Sequence, residues 1–594
     1  MRFGSPSGDL RHANTQPPLL DANGRFGLSL LLISTIVFLF VPRLVRHMMK
    51  QPFSAERFHS HVLSLQMGTI LIGVFVSAWA LIPALTRVAD YLRPRWKTVY
   101  TGAALLSVCA FLSAFIIHFG NRQFGAWDFG NLIDTGWRQI LGQRPYVDFI
   151  CPNPPGFNLG IKYAFQIFGV DWNAQLYFTA IFSSASFLWL YWLMWRLVGA
   201  KLAAFWTAFA IECFVVLPLA FWWYNNSTSI LAAVFFLSCL LYSEQSNSFA
   251  VQSSLFASLA VLPLMKPNIA GLTVIAGLIL LFIIVEHKGK LLLLTLGAAL
   301  ATIVVIYANG ISVPAMLASY RSIAIERGVL SNFGLRELDQ ADMRMLVVKT
   351  LILALPAFGL LPALGLHLRR RQWRRVAFYL FFPIALLIAI YGMRTNNDVK
   401  DVECGMLLAA GAVIIFSAKL PERRLRRFYL AAVCAIALSD VYIGAARLRV
   451  LGIGEHEFFE WDGNVPVGDN FFKDDYASQP MRDVVREITE IKSSNPGPFF
   501  MGPRLEFMYA VVQVPSPMHL PVYWQPGTSF ARADEGKLIR VWRHQPFKTL
   551  IFLKGDYTFY SPGFIAIIDS KYQRDDNYPW LTVYRARNAL EDGE

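Results

Sequence analysis

Long apolar runs, separated by short polar segments, fill most of the chain up to residue 446. A membrane-spanning helix needs roughly 20 predominantly apolar residues. Thirteen runs come close, near 26–44, 63–85, 98–119, 173–197, 202–222, 228–243, 249–265, 269–285, 290–308, 345–366, 376–392, 403–418 and 426–446. Several are short or contain proline, and the pair flanking Lys266 and Pro267 also reads as one broken helix. The first run is not a signal peptide: about 25 polar and irregular residues precede it, and no small-residue cleavage site follows.

From 447 onward the pattern changes. Met481, Val484, Val485, Ile488 and Ile491 recur at helical spacing, which predicts an amphipathic helix near 480–493. It leads into an apolar strand at 498–502. A second helix near 533–543 precedes strands at 549–553 and 580–584. The expected architecture is therefore a multi-pass α-helical membrane protein of about 13 transmembrane helices with a C-terminal soluble α/β domain.

Composition agrees. The chain is 55% hydrophobic and only 16% charged, against about 25% charged in average proteins, which excludes a soluble globular enzyme. No internal period is present, which excludes a solenoid. The 54 basic residues outnumber the 40 acidic ones, for a net charge of +14. That excess would suggest nucleic acid only if it lay on a soluble surface. Instead it falls in dense groups: Arg369, Arg370, Arg371, Arg374 and Arg375; Lys419, Arg423, Arg424, Arg426 and Arg427; and Arg87, Arg93, Arg95 and Lys97.

Short loops rich in Lys and Arg stay cytoplasmic. Even numbers of spans separate these groups, so all lie on one side, together with Arg196, Lys201, Lys288 and Lys290. The charge is a topology label, and no nucleic-acid partner is expected. The opposite side receives the 120–172, 309–344 and 393–402 loops and everything after 447. The 45–62 segment also falls there despite Arg46, Lys50 and Arg57, so the topology is firmer from 98 onward.

The six cysteines form no C-x-x-C, and the ten histidines are dispersed, so no dedicated zinc site is expected. A Cys151–Cys404 disulfide near the outer face has no support beyond position. No Walker A loop and no G-x-G-x-x-G ahead of a helix occur.

Chemistry concentrates in the first long outer loop. Asp128 directly follows the 98–119 span. Leu132, Ile133, Trp137, Ile140 and Leu141 then recur at helical spacing, predicting an amphipathic helix along the outer membrane surface. Gly142-Gln-Arg-Pro-Tyr146, Asp148 and Pro154-Pro-Gly156 follow. Taken singly, these acids would merely solvate a loop. Asp134 reads that way, and Asp171 reads as the cap of the next helix.

In this order and topology the sequence resembles the GT-C superfamily of integral-membrane glycosyltransferases. The resemblance is to the branch of lipid A aminoarabinose transferases, rhizobial galacturonosyltransferases and protein O-mannosyltransferases. It rests on Asp128, on Gly142 to Tyr146 with Asp148, and on Pro154-Pro-Gly156. Trp223-Tyr-Asn-Asn226 and Met265-Lys-Pro267 echo it further.

The resemblance implies a GT-C-like catalytic core of about 11 helices over 98–446. Residues 1–97 would add a cytoplasmic tail and two helices, and 447–594 an extracytoplasmic α/β domain. It implies transfer of a hexose or pentose from a polyprenyl-phosphate-linked donor, with inversion. The acceptor would be a hydroxyl on a cell-envelope glycan, lipid or protein, at the outer face of the bacterial cytoplasmic membrane.

Under it, Asp128 is the catalytic base. Asp148, Arg138, Arg144, Asn153, Asn225, Asn226, Lys266 and Arg394 are the substrate-binding candidates. Relatives carry an Asp-Glu pair where this chain has Asp128-Phe129, so a divalent metal is an open question. They also carry a Lys before Pro-Pro where this chain has Asn153, so phosphate contacts must come from elsewhere. Bland alternatives stand beside these roles: Lys266 as an interfacial snorkelling lysine, Arg138 and Arg144 as lipid-headgroup contacts, Asp148 as a turn residue, Arg394 as part of a solvated loop.

Tyr523, Trp524 and Trp542 are of a kind that stacks on sugars or fills a core, and the 501–504 segment reads as a strand-end loop of the ligand-binding kind. The competing class is a multi-pass transporter or lipid flippase. Such folds usually show duplicated halves and mid-membrane ionisable residues, and the sequence shows no repeat.

Overall fold

The computed structural model describes residues 76–79, 81, 94–121, 128–217, 222–327, 364–365, 367–395, 404–417, 426–435 and 437–438. Toward the C-terminus it describes 465–468, 470–473, 475–477, 479–495, 497–554 and 560–587. Of the expected spans, that near 26–44 lies outside the described residues. Those near 63–85, 345–366 and 426–446 are described only in part.

Helices α1 (Pro94–Gly120), α2 (Asp128–Ile140), α3 (Pro155–Phe168), α4 (Trp172–Val198), α5 (Lys201–Val215), α6 (Tyr224–Glu244) and α7 (Phe249–Val261) follow one another. Then come α8 (Pro267–Ile284), α9 (Lys288–Ala308), α10 (Val313–Glu326), α11 (Trp373–Thr395) and α12 (Cys404–Ser417). Among the described residues, six of these are long and apolar enough to cross a membrane: α1, α4, α6, α8, α9 and α11. The apolar stretches at Phe249–Leu264 and Gly405–Ile415 are shorter.

The centre of the bundle is α6, buried along almost its whole length. It packs against α4, α7, α8 and α12. Its Ser238 hydroxyl meets that of Ser254 on α7 at 2.7 Å. The lipid solvent cannot supply such partners, so the helices supply them to one another. The same logic covers Glu212 of α5, fully buried and accepting from Ser183 (2.7 Å) and Ser186 (2.6 Å) of α4. The hydropathy pattern showed only an apolar run there.

The region around Lys266 is two helices rather than one broken one. Lys290 at the start of α9 reaches Asn247 just before α7 (3.2 Å), and Thr302 near the end of α9 donates to Ala260 O near the end of α7 (2.8 Å). Helices α7 and α9 therefore run parallel, and α8 between them in sequence must run back.

One end of the bundle gathers basic residues. Arg196 bonds Gln245, and Arg374 pairs with Glu286, beside Lys288 and Lys290. These are the residues the span count put on one side. The other end carries α2, α3, α10 and the C-terminal unit.

That unit is α/β. It comprises β1 (Val465–Pro466), β2 (Tyr476–Ala477), α13 (Gln479–Ser494), β3 (Phe499–Met501), α14 (Met508–Val511), α15 (Glu535–Arg543), β4 (Thr549–Leu553), α16 (Pro562–Lys571), β5 (Tyr572–Asp575) and β6 (Leu581–Ala586). The main sheet runs β3-β4-β6-β5, with β3 parallel to β4 and the other pairings antiparallel. The apolar strands and the two amphipathic helices lie where periodicity placed them. The strand β5 (Tyr-Gln-Arg-Asp) escaped it because an edge strand needs no apolar run.

Candidate functional site

The outer loop is not a surface helix trailing a solvated tail. On one side of α2, Leu132 and Ile133 join the bundle core with Phe157, Ile161 and Phe165 of α3. Its polar side is covered too, by the C-terminal unit. Asp134 is fully buried, paired with Arg138 at 2.7 Å and accepting from the Ser516 hydroxyl. Arg138 (1% exposed) also donates to Pro517 O, and Trp137 Nε1 donates to Val514 O at 2.9 Å. Gln143 donates to Ser516 O at 2.9 Å.

Backbone bonds extend this seam, from Ile150 N to Leu520 O (3.2 Å) and from Val522 N to Ile150 O (3.0 Å). Asp134 is thus a structural anchor rather than a solvating residue. Burial pushes its carboxyl up, while Arg138 and Ser516 pull it back. Arg138 is committed to this seam.

Arg144 and Asp148 engage each other in a two-pronged pair, at 2.9 and 3.0 Å, that also accepts from Arg144 N. These bonds hold the Asp148 carboxyl below the usual range. Between them, Tyr146 stands at φ 68°, in the left-handed region that bulky residues avoid. Its hydroxyl meets Tyr320 of α10 at 3.2 Å, donates to Asn153 O, and accepts from Asn158 at 3.3 Å. The turn therefore fixes the approach to the Pro-Pro-Gly segment.

Asn153 itself exchanges two amide bonds with Asn131 of α2, at 3.3 and 3.0 Å. Asn131 lies one helical turn beyond Asp128, the first residue of α2. Arg394 is the penultimate residue of α11. The side chains of Asp128 and Arg394 lie outside the described residues.

Three motifs distant in sequence meet at one junction. Phe157 stacks edge-on against Trp223 (5.2 Å) and Tyr224 (5.7 Å). Trp222 Nε1 donates to Phe157 O at 3.2 Å. Lys266 N donates to the Thr228 hydroxyl at 3.2 Å, and the Lys266 ammonium lies 5.9 Å from the centre of the Tyr224 ring. Gly156 is required at this crossing: a Cβ there would sit 2.9 Å from the Met265 sulfur and 3.0 Å from Leu264 O.

Gly156→Ala must therefore push α3 away from the 264–266 turn, at a cost of about 1–3 kcal/mol. A lowered thermal midpoint of the full chain in nanodiscs checks it.

The junction consists of helix starts. Helices α3, α6 and α8 begin at Pro155, Tyr224 and Pro267; none is capped by the side chain of its N-cap residue, though in α8 Asn268 Oδ1 accepts from Ile269 N at 3.0 Å. By contrast, Asp171 caps α4 through Ala174 N (2.8 Å) and Ser312 caps α10. A helix start carries unpaired N–H groups and about half a positive charge. Three uncapped starts beside Lys266 favour an anion. Since α6 and α8 are long and apolar enough to cross a membrane, the junction lies at one end of their apolar stretches.

Of the residues singled out in the sequence, Asn153, Asn225, Asn226 and Lys266 come together here. Arg138, Arg144 and Asp148 do not.

The C-terminal unit contributes polar groups that periodicity did not reveal. Arg504 and Glu506 are buried, and Glu506 Oε2 lies 3.3 Å from where a Cβ on Gly130 would stand. The strand-end loop thus packs on the first turn of α2. Trp524 and Trp542 are core residues around Phe500 and Phe564, and Tyr523 is buried, so none offers a face to a sugar. Cys151 is a free, buried thiol. Among the described residues no three His, Cys, Asp or Glu side chains cluster as metal ligands.

No family model matches the sequence, and no curated protein matches it. Solved structures do resemble it. One is ArnT from Cupriavidus metallidurans bound to undecaprenyl phosphate, at 12% identity over 83% of this chain and 98% of that chain, with a TM-score of 0.47. Another is the apo oligosaccharyltransferase of Archaeoglobus fulgidus, at 13% identity over 75% and 69%, with a TM-score of 0.39. A third is the arabinosyltransferase EmbB from Mycobacterium smegmatis, at 13% identity over 64% and 34%, with a TM-score of 0.29. Two of these three solved structures are by name glycosyl-transferring enzymes, an oligosaccharyltransferase and an arabinosyltransferase.

Proposed function

We propose that the protein is a membrane glycosyltransferase. It moves a sugar from a polyprenyl-phosphate-linked donor to an acceptor hydroxyl of a cell-envelope glycan, lipid or protein. One observation carries this reading: three uncapped helix starts and Lys266 converge at one end of the apolar stretches of α6 and α8. Such a place suits a phosphate whose chain lies in lipid. The transporter alternative gains no such support.

Lys266 and the three helix starts hold the phosphate. Asp128, at the start of α2 and tied to the Pro-Pro-Gly turn through Asn131 and Asn153, takes the acceptor proton. The acceptor oxygen forms its bond to C1 as the C1–O bond to phosphate breaks. That electron pair leaves with the phosphate, and the sugar inverts. The basic end of the bundle faces the cytoplasm, and the C-terminal unit lies outside.

Comparison of envelope glycans and glycolipids by mass spectrometry, with and without the gene, tests the reading. Loss of one sugar-modified species is expected. An unchanged envelope with altered uptake of a small solute would establish the transporter instead. In vitro, Lys266→Gln is expected to weaken undecaprenyl phosphate binding by about ten- to a hundredfold, since one charged hydrogen bond contributes about 1.5–3 kcal/mol. Unchanged affinity would remove Lys266 from the phosphate site.

A further inference from the structure

The first two turns of α6 hold polar atoms with no hydrogen-bond partner among the described residues. Asn226 is 3% exposed, and neither its carbonyl nor its amide nitrogen has a hydrogen-bond partner. Asn225 Oδ1 and the Ser229 hydroxyl, both buried, are likewise unpaired. Asn226 and Ser229 are three residues apart and so share one helix face. A buried amide without partners costs roughly 1–3 kcal/mol, and native interiors rarely leave one.

The neighbouring hydroxyls of the same helix behave differently. Ser227 bonds Trp223 O at 3.0 Å, and Thr228 bonds Tyr224 O and accepts from Lys266 N. The unpaired atoms are therefore confined to one face, next to the proposed phosphate site.

That face is crowded by α12. A Cβ on Gly405 would lie 3.1 Å from the Ser229 hydroxyl and 3.2 Å from Ile211 and Val215 of α5. Gly405 permits this approach, and Ile211 and Val215 are the apolar groups beside it. Amide and hydroxyl groups both donate and accept, which matches sugar hydroxyls. A carboxylate or an ammonium would instead have to lose its water without a counter-charge from these three side chains, and that is costly.

We propose that Asn226 and Ser229, with Asn225, form the donor-sugar subsite, and that it selects an uncharged sugar over an amino sugar or a uronic acid. This rests on the polyprenyl-phosphate reading above and specifies its substrate class.

The test measures affinities of the full chain in nanodiscs for undecaprenyl phosphate and for three polyprenyl-phosphate donors carrying a neutral hexose, a hexuronate and an amino-pentose. The neutral donor is expected to bind at least about tenfold tighter than the bare carrier and tighter than either charged donor. Asn226→Ala and Ser229→Ala should each reduce that advantage by about tenfold or less, leaving the bare-carrier affinity within about twofold. Asn226→Asp should shift preference toward the amino-pentose donor.

A charged donor binding best, or no gain over the bare carrier, overturns the subsite. Equal loss for donor and bare carrier in the alanine variants does the same, by showing a structural role. Failure of wild type to bind any polyprenyl phosphate overturns the glycosyltransferase reading itself.

Discussion

Asp128→Asn is expected to reduce sugar transfer by about 10²–10⁴-fold, the usual contribution of a positioned general base. The amide keeps the size and hydrogen-bonding reach of the carboxylate but cannot take the acceptor proton. Affinity for undecaprenyl phosphate should stay within about twofold, because the phosphate is assigned to Lys266 and the helix starts rather than to α2. The loss should therefore appear in kcat at saturating donor. Initial rates alongside carrier binding decide it. Full activity in the variant would remove Asp128 as base. Loss of carrier binding as well would place Asp128 in the donor site.

Arg138→Met should destabilise the protein by about 3–5 kcal/mol, the usual consequence of stranding one partner of a buried ion pair. Asp134 is fully buried between α2 and the 514–517 segment, and Arg138 is its nearest counter-charge. The double change Asp134→Leu with Arg138→Met should recover most of the loss, because a buried pair replaced as a whole often costs little.

The pH dependence has a definite sign. Without Arg138, burial raises the Asp134 pKa in the folded chain still further above its unfolded value. The folded state then holds that proton more tightly than the unfolded state does. The variant is closest to wild type at low pH and loses ground as pH rises through the raised value. Thermal midpoints of the full chain at pH 5 and pH 8 measure this. A wild-type midpoint for Arg138→Met at both would return Arg138 to the phosphate candidates.

How far the sequence could be read depends on what each residue's signal reports. Asp171 was legible as a cap because capping is local, an acid just before a helix start. The strand Thr549–Leu553 was legible because a fully buried central strand must be apolar throughout. Asp134 was misjudged because helical periodicity reports which residues are apolar, and says nothing of what covers the polar side. Here the cover is a segment some 380 residues away, whose Ser516 hydroxyl and Pro517 carbonyl complete the polar bonds. Trp524 and Trp542 carried an ambiguous signal, since large aromatics serve cores and sugar sites alike.

The sequence by itself determined the membrane class, the succession of apolar helices, the gathering of Arg196, Lys288, Lys290 and Arg374 at one end and the α/β character of the C-terminal unit. Each of these follows from solvent preference or from periods of a few residues. Only the tertiary structure decided that Pro154-Pro-Gly156, Trp223-Tyr-Asn-Asn226 and Met265-Lys-Pro267 form one junction. It likewise decided that Asn226 and Ser229 stay unpaired beside that junction, and that Arg138 is spent on Asp134. A hydrogen bond spans about 3 Å, and no local pattern specifies which distant segment will supply its other half.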